Sequence, residues 1–206
     1  MNKASYAAAG ILGMLLFLSM AFGQTPGMPV KITKGIKAGL NSSKFTGDDV
    51  TDSKSKSGFL GGVFVRVGVL GIVAVQPELL YTQKGAKSES GSTKDTWNLS
   101  YLEIPVLVRF DIPFVIVRPF LYGGPTLAFK LSAKAKTEQS GQTDEADIDG
   151  AKSSDTGIAL GVGADLNVLG FGSIVVDLRY TRGFGSFVDP GDIKNEVFSA
   201  MVGISL

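Results

Sequence analysis

The sequence predicts an all-β fold: an eight-stranded antiparallel up-and-down barrel. Three observations predict it. First, Tyr101–Phe110 alternates strictly, with Leu102, Ile104, Val106, Val108 and Phe110 on one face and Tyr101, Glu103, Pro105, Leu107 and Arg109 on the other, which is the strand period of two. Second, that pattern recurs along the chain, each time with one nearly all-apolar face, and helical periodicity is missing after residue 30. Third, the connections between these stretches alternate long and polar with short and Gly- or Pro-bearing.

In chain order, the first strand is Ile32–Asn41, where Ile32, Ile36, Ala38 and Leu40 alternate with Thr33, Lys37, Gly39 and Asn41. A polar loop, Ser42–Ser57, leads to the second strand, Gly58–Val67, with Phe59, Val63, Val65 and Val67 opposing Leu60, Gly62, Phe64 and Arg66. Gly68–Gly71 is a tight turn. The third strand, Ile72–Gln83, sets Val73, Val75, Leu79 and Tyr81 against Gln76, Glu78, Leu80 and Thr82. The Ser-, Gly- and Lys-rich loop Lys84–Thr96 precedes the fourth strand, from Trp97 to Phe110, and Asp111–Val115 turns at Pro113. The fifth strand is Ile116–Phe129, followed by the longest loop, Lys130–Asp155. The sixth, Thr156–Val168, places Ile158, Leu160, Val162, Ala164 and Leu166 opposite a face holding Asp165. After the turn Leu169–Gly172, the seventh strand is Ser173–Arg182, with Ile174, Val176, Leu178 and Tyr180 against Asp177 and Arg179. Gly183–Lys194 is a loop and Asn195–Leu206 the eighth strand. Pro77, Pro105, Pro119 and Pro125 fall inside these strands. Proline cannot donate to a ladder, so each is expected at a bulge or a strand end.

The faces opposite the apolar ones carry Lys37, Arg66, Glu78, Glu103, Arg109, Arg118, Asp165, Asp177 and Arg179, five positive and four negative groups. Alternation alone does not say which face points outward. Three features place the apolar face in lipid. Residues 1–23 have the form of a cleaved signal peptide: Lys3, then the apolar run Ala7–Phe22, then small residues at Ala21 and Gly23, with cleavage before Gln24. No strand has a polar face of the kind a soluble sheet edge needs. Phe59, Tyr81, Phe129, Tyr180 and Phe198 lie toward the long loops and Phe110 toward the turns, as in the two aromatic girdles of a membrane barrel. The expected fold is therefore a transmembrane β-barrel over residues 24–206, with short periplasmic turns, long polar outer loops and both termini on the periplasmic side. Its location would be the outer membrane of a Gram-negative bacterium. An eight-stranded interior is just wide enough to be filled by side chains, so the nine ionisable groups should pair inside and leave no open pore.

Composition narrows the chemistry. Lys and Arg number 20 and Asp and Glu 19, so no electrostatic case exists for nucleic acid. With neither His nor Cys in the chain, Ser-His-Asp and Cys-His catalysis, disulfides and the commonest zinc ligands are excluded. Asp144–Gly150 has a calcium-loop-like order, but the twelfth place holds Thr156 instead of an acid, and a solvated loop is the reading. Glu103 with Arg109 suggests an acid/base pair; structural pairing in the interior is the stronger reading. No catalytic, cofactor-binding or metal-binding residue is assigned, no cofactor is implied, and the chain reads as a non-enzyme.

Gln76-Pro77-Glu78-Leu79-Leu80-Tyr81, Tyr101-Leu102-Glu103-Ile104-Pro105, Arg118-Pro119-Phe120-Leu121-Tyr122-Gly123-Gly124-Pro125 and the opening Gly35–Asn41 resemble the PorT-type outer-membrane β-barrel family of Bacteroidota, small barrels of OmpX/OmpA-like form. The resemblance implies the same barrel and is uninformative about activity. Leu206 stands where outer-membrane barrels usually end in Phe. The expected partners are outer-membrane lipids and a protein or surface met by the outer loops. Two alternatives stand beside this: a soluble secreted or periplasmic lipocalin-like barrel holding an apolar ligand in its lumen, and an accessory of a secretion or motility system.

Overall fold

A computed structural model describes residues 30–47, 53–69, 71–90, 93–114, 116–139, 142–148, 152–168, 172–185 and 193–206, with the backbone alone at 69, 89 and 90. The expected signal peptide and its cleavage point lie outside the described residues. Nine strands follow one another: β1 (Val30–Thr46), β2 (Lys54–Val69), β3 (Val73–Ser90), β4 (Thr93–Asp111), β5 (Val117–Gln139), β6 (Gln142–Asp147), β7 (Ser154–Val168), β8 (Gly172–Gly183) and β9 (Lys194–Ser205). Eight of them close a ring in the order β4-β3-β2-β1-β9-β8-β7-β5, sealed by β4–β5 pairing. All pairings are antiparallel, and the first and last strands join from Gly35↔Ser205 to Thr46↔Lys194. The eight-stranded barrel read from the alternation is the fold. The additional strand, β6, pairs among the described residues only with the outer end of β5.

The wall is inverted relative to a soluble protein. Val162 and Val176 are 55% and 39% exposed on the outside, while Glu103 and Asp177 are 4% and 1% exposed within. Rings band the outer wall at the long-loop end, where Phe59 lies 5.3 Å from Tyr81 and Tyr180 lies 4.9 Å from Phe198. Phe110 and Phe114 are exposed at the other end. Val106 is only 1% exposed. It pairs with Pro77, and the β4–β5 register sets Pro125 on its other side, so proline rings flank it on the outer face.

Two expectations are corrected. Three of the four long connections that were read as loops are largely strand. β1 continues to Thr46, β3 to Ser90 and β5 to Gln139, and residues 142–147 return as β6. Beyond the lipid both faces of a strand meet water, so hydrophobic alternation stops while the hydrogen-bonded ladder continues. A bulge between Ser100 and Tyr101, opposite Leu131, shifts the facing of β5 by one residue. Above it Ala133 is buried and Lys134 exposed.

The prolines are the second correction. Pro77, Pro105 and Pro125 sit deep within strands, away from the two bulges. Each opens the ladder on one side only. The β2–β3 register skips from Phe64↔Glu78 to Val67↔Val75, passing Pro77. The β3–β4 register skips from Pro77↔Val106 to Leu80↔Glu103, passing Pro105. The β4–β5 register skips from Pro105↔Thr126 to Val108↔Gly123, passing Pro125. On the opposite side each proline stays paired, with Val106, Thr126 and Ile158 respectively. Pro119 lies just past the end of the β4–β5 ladder, where its carbonyl accepts from the Ile112 amide at 2.9 Å.

The outward face makes a direct prediction. Val202, 58% exposed and paired with Ala38 and Val176, lies mid-wall. Val202→Arg should destabilise the protein by about 2–4 kcal/mol, the midplane figure for a lipid-facing cation, measured as urea unfolding from lipid vesicles. A water-facing site would be indifferent.

Candidate functional site: the charged lumen

The lumen is crossed by side chains that reach one another from different walls. At mid-height Lys37 of β1 donates to Glu78 of β3 at 2.6 Å and to Asp177 of β8 at 2.8 Å. Arg179 of β8 donates to the other Glu78 oxygen at 2.8 Å. Tyr122 of β5 donates its hydroxyl to Asp177 and accepts from Arg179 Nε at 2.8 Å. Two cations thus meet two carboxylates, and the Lys37, Glu78, Asp177 and Arg179 side chains are all 2% exposed or less. Burying isolated charge is prohibitive, and pairing with hydrogen bonds to the remaining lone pairs makes it tenable.

The network continues toward the short turns. Gln76 donates to Glu78 at 2.7 Å and accepts from Arg66 Nε at 3.0 Å. Arg66 pairs with Asp165 at 2.7 Å, and Arg109 bridges Asp165 and Asp111, each at 2.6 Å. The Arg109 guanidinium carbon lies over Phe120, 3.5 Å from the ring centre. Toward the long loops Lys84 pairs with Glu103 at 2.7 Å. Above that Phe45, Ala86, Leu99, Tyr101, Ala128 and Ala133 form a buried apolar cluster, with Trp97, Ile148 and Ile193 packed against them.

Glycines on the inner wall make room for the rings. A Cβ on Gly161 would sit 2.2 Å from the Tyr122 ring, and one on Gly163 would sit 2.4 Å from the Phe120 ring. Gly35 faces Phe64 in the same way, and Phe64 lies between Lys37 and Arg66, 5.7 and 5.6 Å from its centre.

Eight of the nine ionisable residues placed inside from sequence join this lumen network through ion pairs, and Arg118 shares its inner face without one among the described residues. Glu103 and Arg109 are not partners; each is paired elsewhere. Lys84 and Asp111 belong to the network and were not anticipated, because they fall in stretches read as a loop and a turn. Their in-phase spacing from Thr82 and from Arg109 was the available signal. Of the calcium-like stretch, residues 144–147 form strand β6, where Glu145 pairs with Lys134 at 2.7 Å, and 149–150 lie outside the described residues. Among the described residues no three His, Cys, Asp or Glu side chains gather as a metal site.

A closed antiparallel ring with an apolar exterior and an ionic interior defines an integral outer-membrane β-barrel. Residues 22–189 match the family model described as the outer membrane protein beta-barrel domain, and the chain belongs to that family. No curated protein matches the sequence significantly. OprG of Pseudomonas aeruginosa is similar in structure at 13% identity, with a TM-score of 0.50 over 86% of this chain and 95% of that one. Ail of Yersinia pestis, solved with the heparin analogue sucrose octasulfate, gives 19% identity and 0.47 over 85% and 99%. The outer membrane enzyme PagL gives 11% and 0.45 over 82% and 98%.

Two substitutions test the network. Glu78→Ala strands Lys37 and Arg179 and should lower stability by roughly 3–5 kcal/mol, read from urea unfolding in detergent. Gly161→Ala pushes the Tyr122 ring off Asp177 and Arg179 and should cost about 1–3 kcal/mol by the same measurement.

Proposed function

We propose that this is a non-enzymatic integral outer-membrane barrel, with a filled interior, that acts through the surface at its long-loop end. The observation that carries the reading is the sheet that β3, β4, β5 and β6 raise beyond the aromatic band. It ends in β6, whose six residues are all exposed and which has no further strand beside it among the described residues. Asp144, Glu145 and Asp147 charge that edge, a device that discourages pairing with another copy. The Lys134 ammonium, hydrogen-bonded to Glu145, holds that carboxyl below its usual range. A lumen bridged from β1 to β3, β5 and β8 supports a barrel that presents a surface over one that conducts. The charged lumen also disfavours an apolar cargo of the lipocalin kind. Within the family we assign the chain to the PorT-type barrels of Bacteroidota, exported by a signal peptide cut before Gln24. N-terminal sequencing of the mature protein should begin at Gln24.

Because the native chain has no Cys, Thr143→Cys in β6 gives a single label site. An impermeant maleimide should label it on intact cells, and the protein should be Sarkosyl-insoluble and heat-modifiable. Labelling only after permeabilisation would reverse the orientation. Steady single-channel currents in planar bilayers would overturn the filled interior.

A further inference from the structure

The mid-lumen layer balances two cations against two carboxylates; the layer at the short-turn end does not. There, among the described residues, Arg66, Arg109, Arg118 and Lys31 share the inner face with only Asp111 and Asp165, an excess of two positive side-chain charges. Both carboxylates are already committed. Asp165 accepts from Arg66 and Arg109, and Asp111 accepts from the Nε and Nη2 of Arg109. Arg118 stands directly opposite Asp165 in the β5–β7 register, yet neither it nor Lys31 makes an ion pair among the described residues. The Arg118 Nε is buried without a hydrogen-bond partner. Arg118 and Lys31 both line a cavity of about 160 Å³ together with Arg66, Asp111, Asp165 and Asn167. That is room for roughly five waters at about 30 Å³ each, or for one tetrahedral oxyanion.

We propose that this vestibule, on the periplasmic side in barrels of this class, is a binding site for a phosphate group. The guanidinium fork of Arg118 suits a phosphate oxygen pair, Lys31 supplies a second point charge, and a dianion cancels the excess. The phosphate can be free in the periplasm, where its dianion offsets both charges, or belong to a phospholipid headgroup at the inner leaflet, whose phosphodiester is a monoanion and offsets one of them.

The test is a titration of the full folded protein, in a phosphate-free maltoside detergent, with inorganic phosphate at constant ionic strength in chloride, by calorimetry and phosphorus NMR. One phosphate per chain should bind. Lys31→Gln and Arg118→Gln should each weaken it about tenfold or more, the scale of one charge-assisted hydrogen bond, and Arg118→Lys should recover part of the loss. Heat-modifiable migration checks that each variant is folded; Lys31, exposed at the start of β1, keeps the test open if Arg118 variants fail to fold. The same titration in phospholipid nanodiscs separates the sources. Unchanged uptake points to free phosphate; uptake abolished only in nanodiscs points to a headgroup already in place. No saturable binding in detergent, acetate binding as tightly as phosphate, or binding indifferent to Lys31→Gln in a folded protein would overturn the site.

Discussion

The interaction on which the rest of the structure depends is the mid-lumen contact of Lys37, Glu78, Asp177 and Arg179. Lipid takes the apolar faces outward, and strand alternation then forces every second residue inward. In an eight-stranded ring those inward residues meet across a space too narrow for bulk water. Charges placed there have to find partners. Because the partners sit on β1, β3 and β8, with Tyr122 adding β5, the pairing ties together strands that are not neighbours in the ring. Backbone pairing sets which strands are adjacent; the ionic contacts fix the cross-section.

The glycines belong to the same constraint. Tyr122, Phe120 and Phe64 need room beside them, and Gly161, Gly163 and Gly35 supply it as their direct partners on the adjacent strand. Tyr122 can then serve both Asp177 and Arg179, Phe120 can lie under Arg109, and Phe64 can lie between two cations. The small inward residues are thus part of the electrostatics, since they determine where each ring can stand.

Strand number, the facing of each strand and the interior position of Lys37, Glu78 and Asp177 were legible because lipid imposes one hydrophobicity rule on every crossing. Outside the lipid that rule lapses, and so β5 beyond Phe129 and the whole of β6 read as loop. Pairing was less legible, although part of it was within reach. Glu103 and Arg109 are six residues apart on one strand, roughly 20 Å at about 3.3 Å per residue, which already excludes a contact. Finding Lys84 and Asp165 as their partners needs the register between strands, which no single strand contains. Arg118 was rightly placed inside, but its lack of an ionic partner emerges only when Asp165 is seen to be taken by Arg66 and Arg109.

The prolines explain how such a wall tolerates broken rungs. In hydrocarbon an unmade backbone hydrogen bond is expensive, which is why proline was expected only at bulges and ends. Three of them instead sit mid-strand, each missing pairing with one neighbour and keeping it with the other. The three gaps fall in successive strand pairs, β2–β3, β3–β4 and β4–β5, and step across the wall so that no interface carries two of them. Each interface is therefore held on both sides of its gap by continuous register, and the inner faces beside the gaps carry Gln76, Glu78 and Leu107, all buried in the lumen. The wall is weakest in its backbone where the interior is most firmly tied, so the ionic network and the proline positions have to be read as one arrangement.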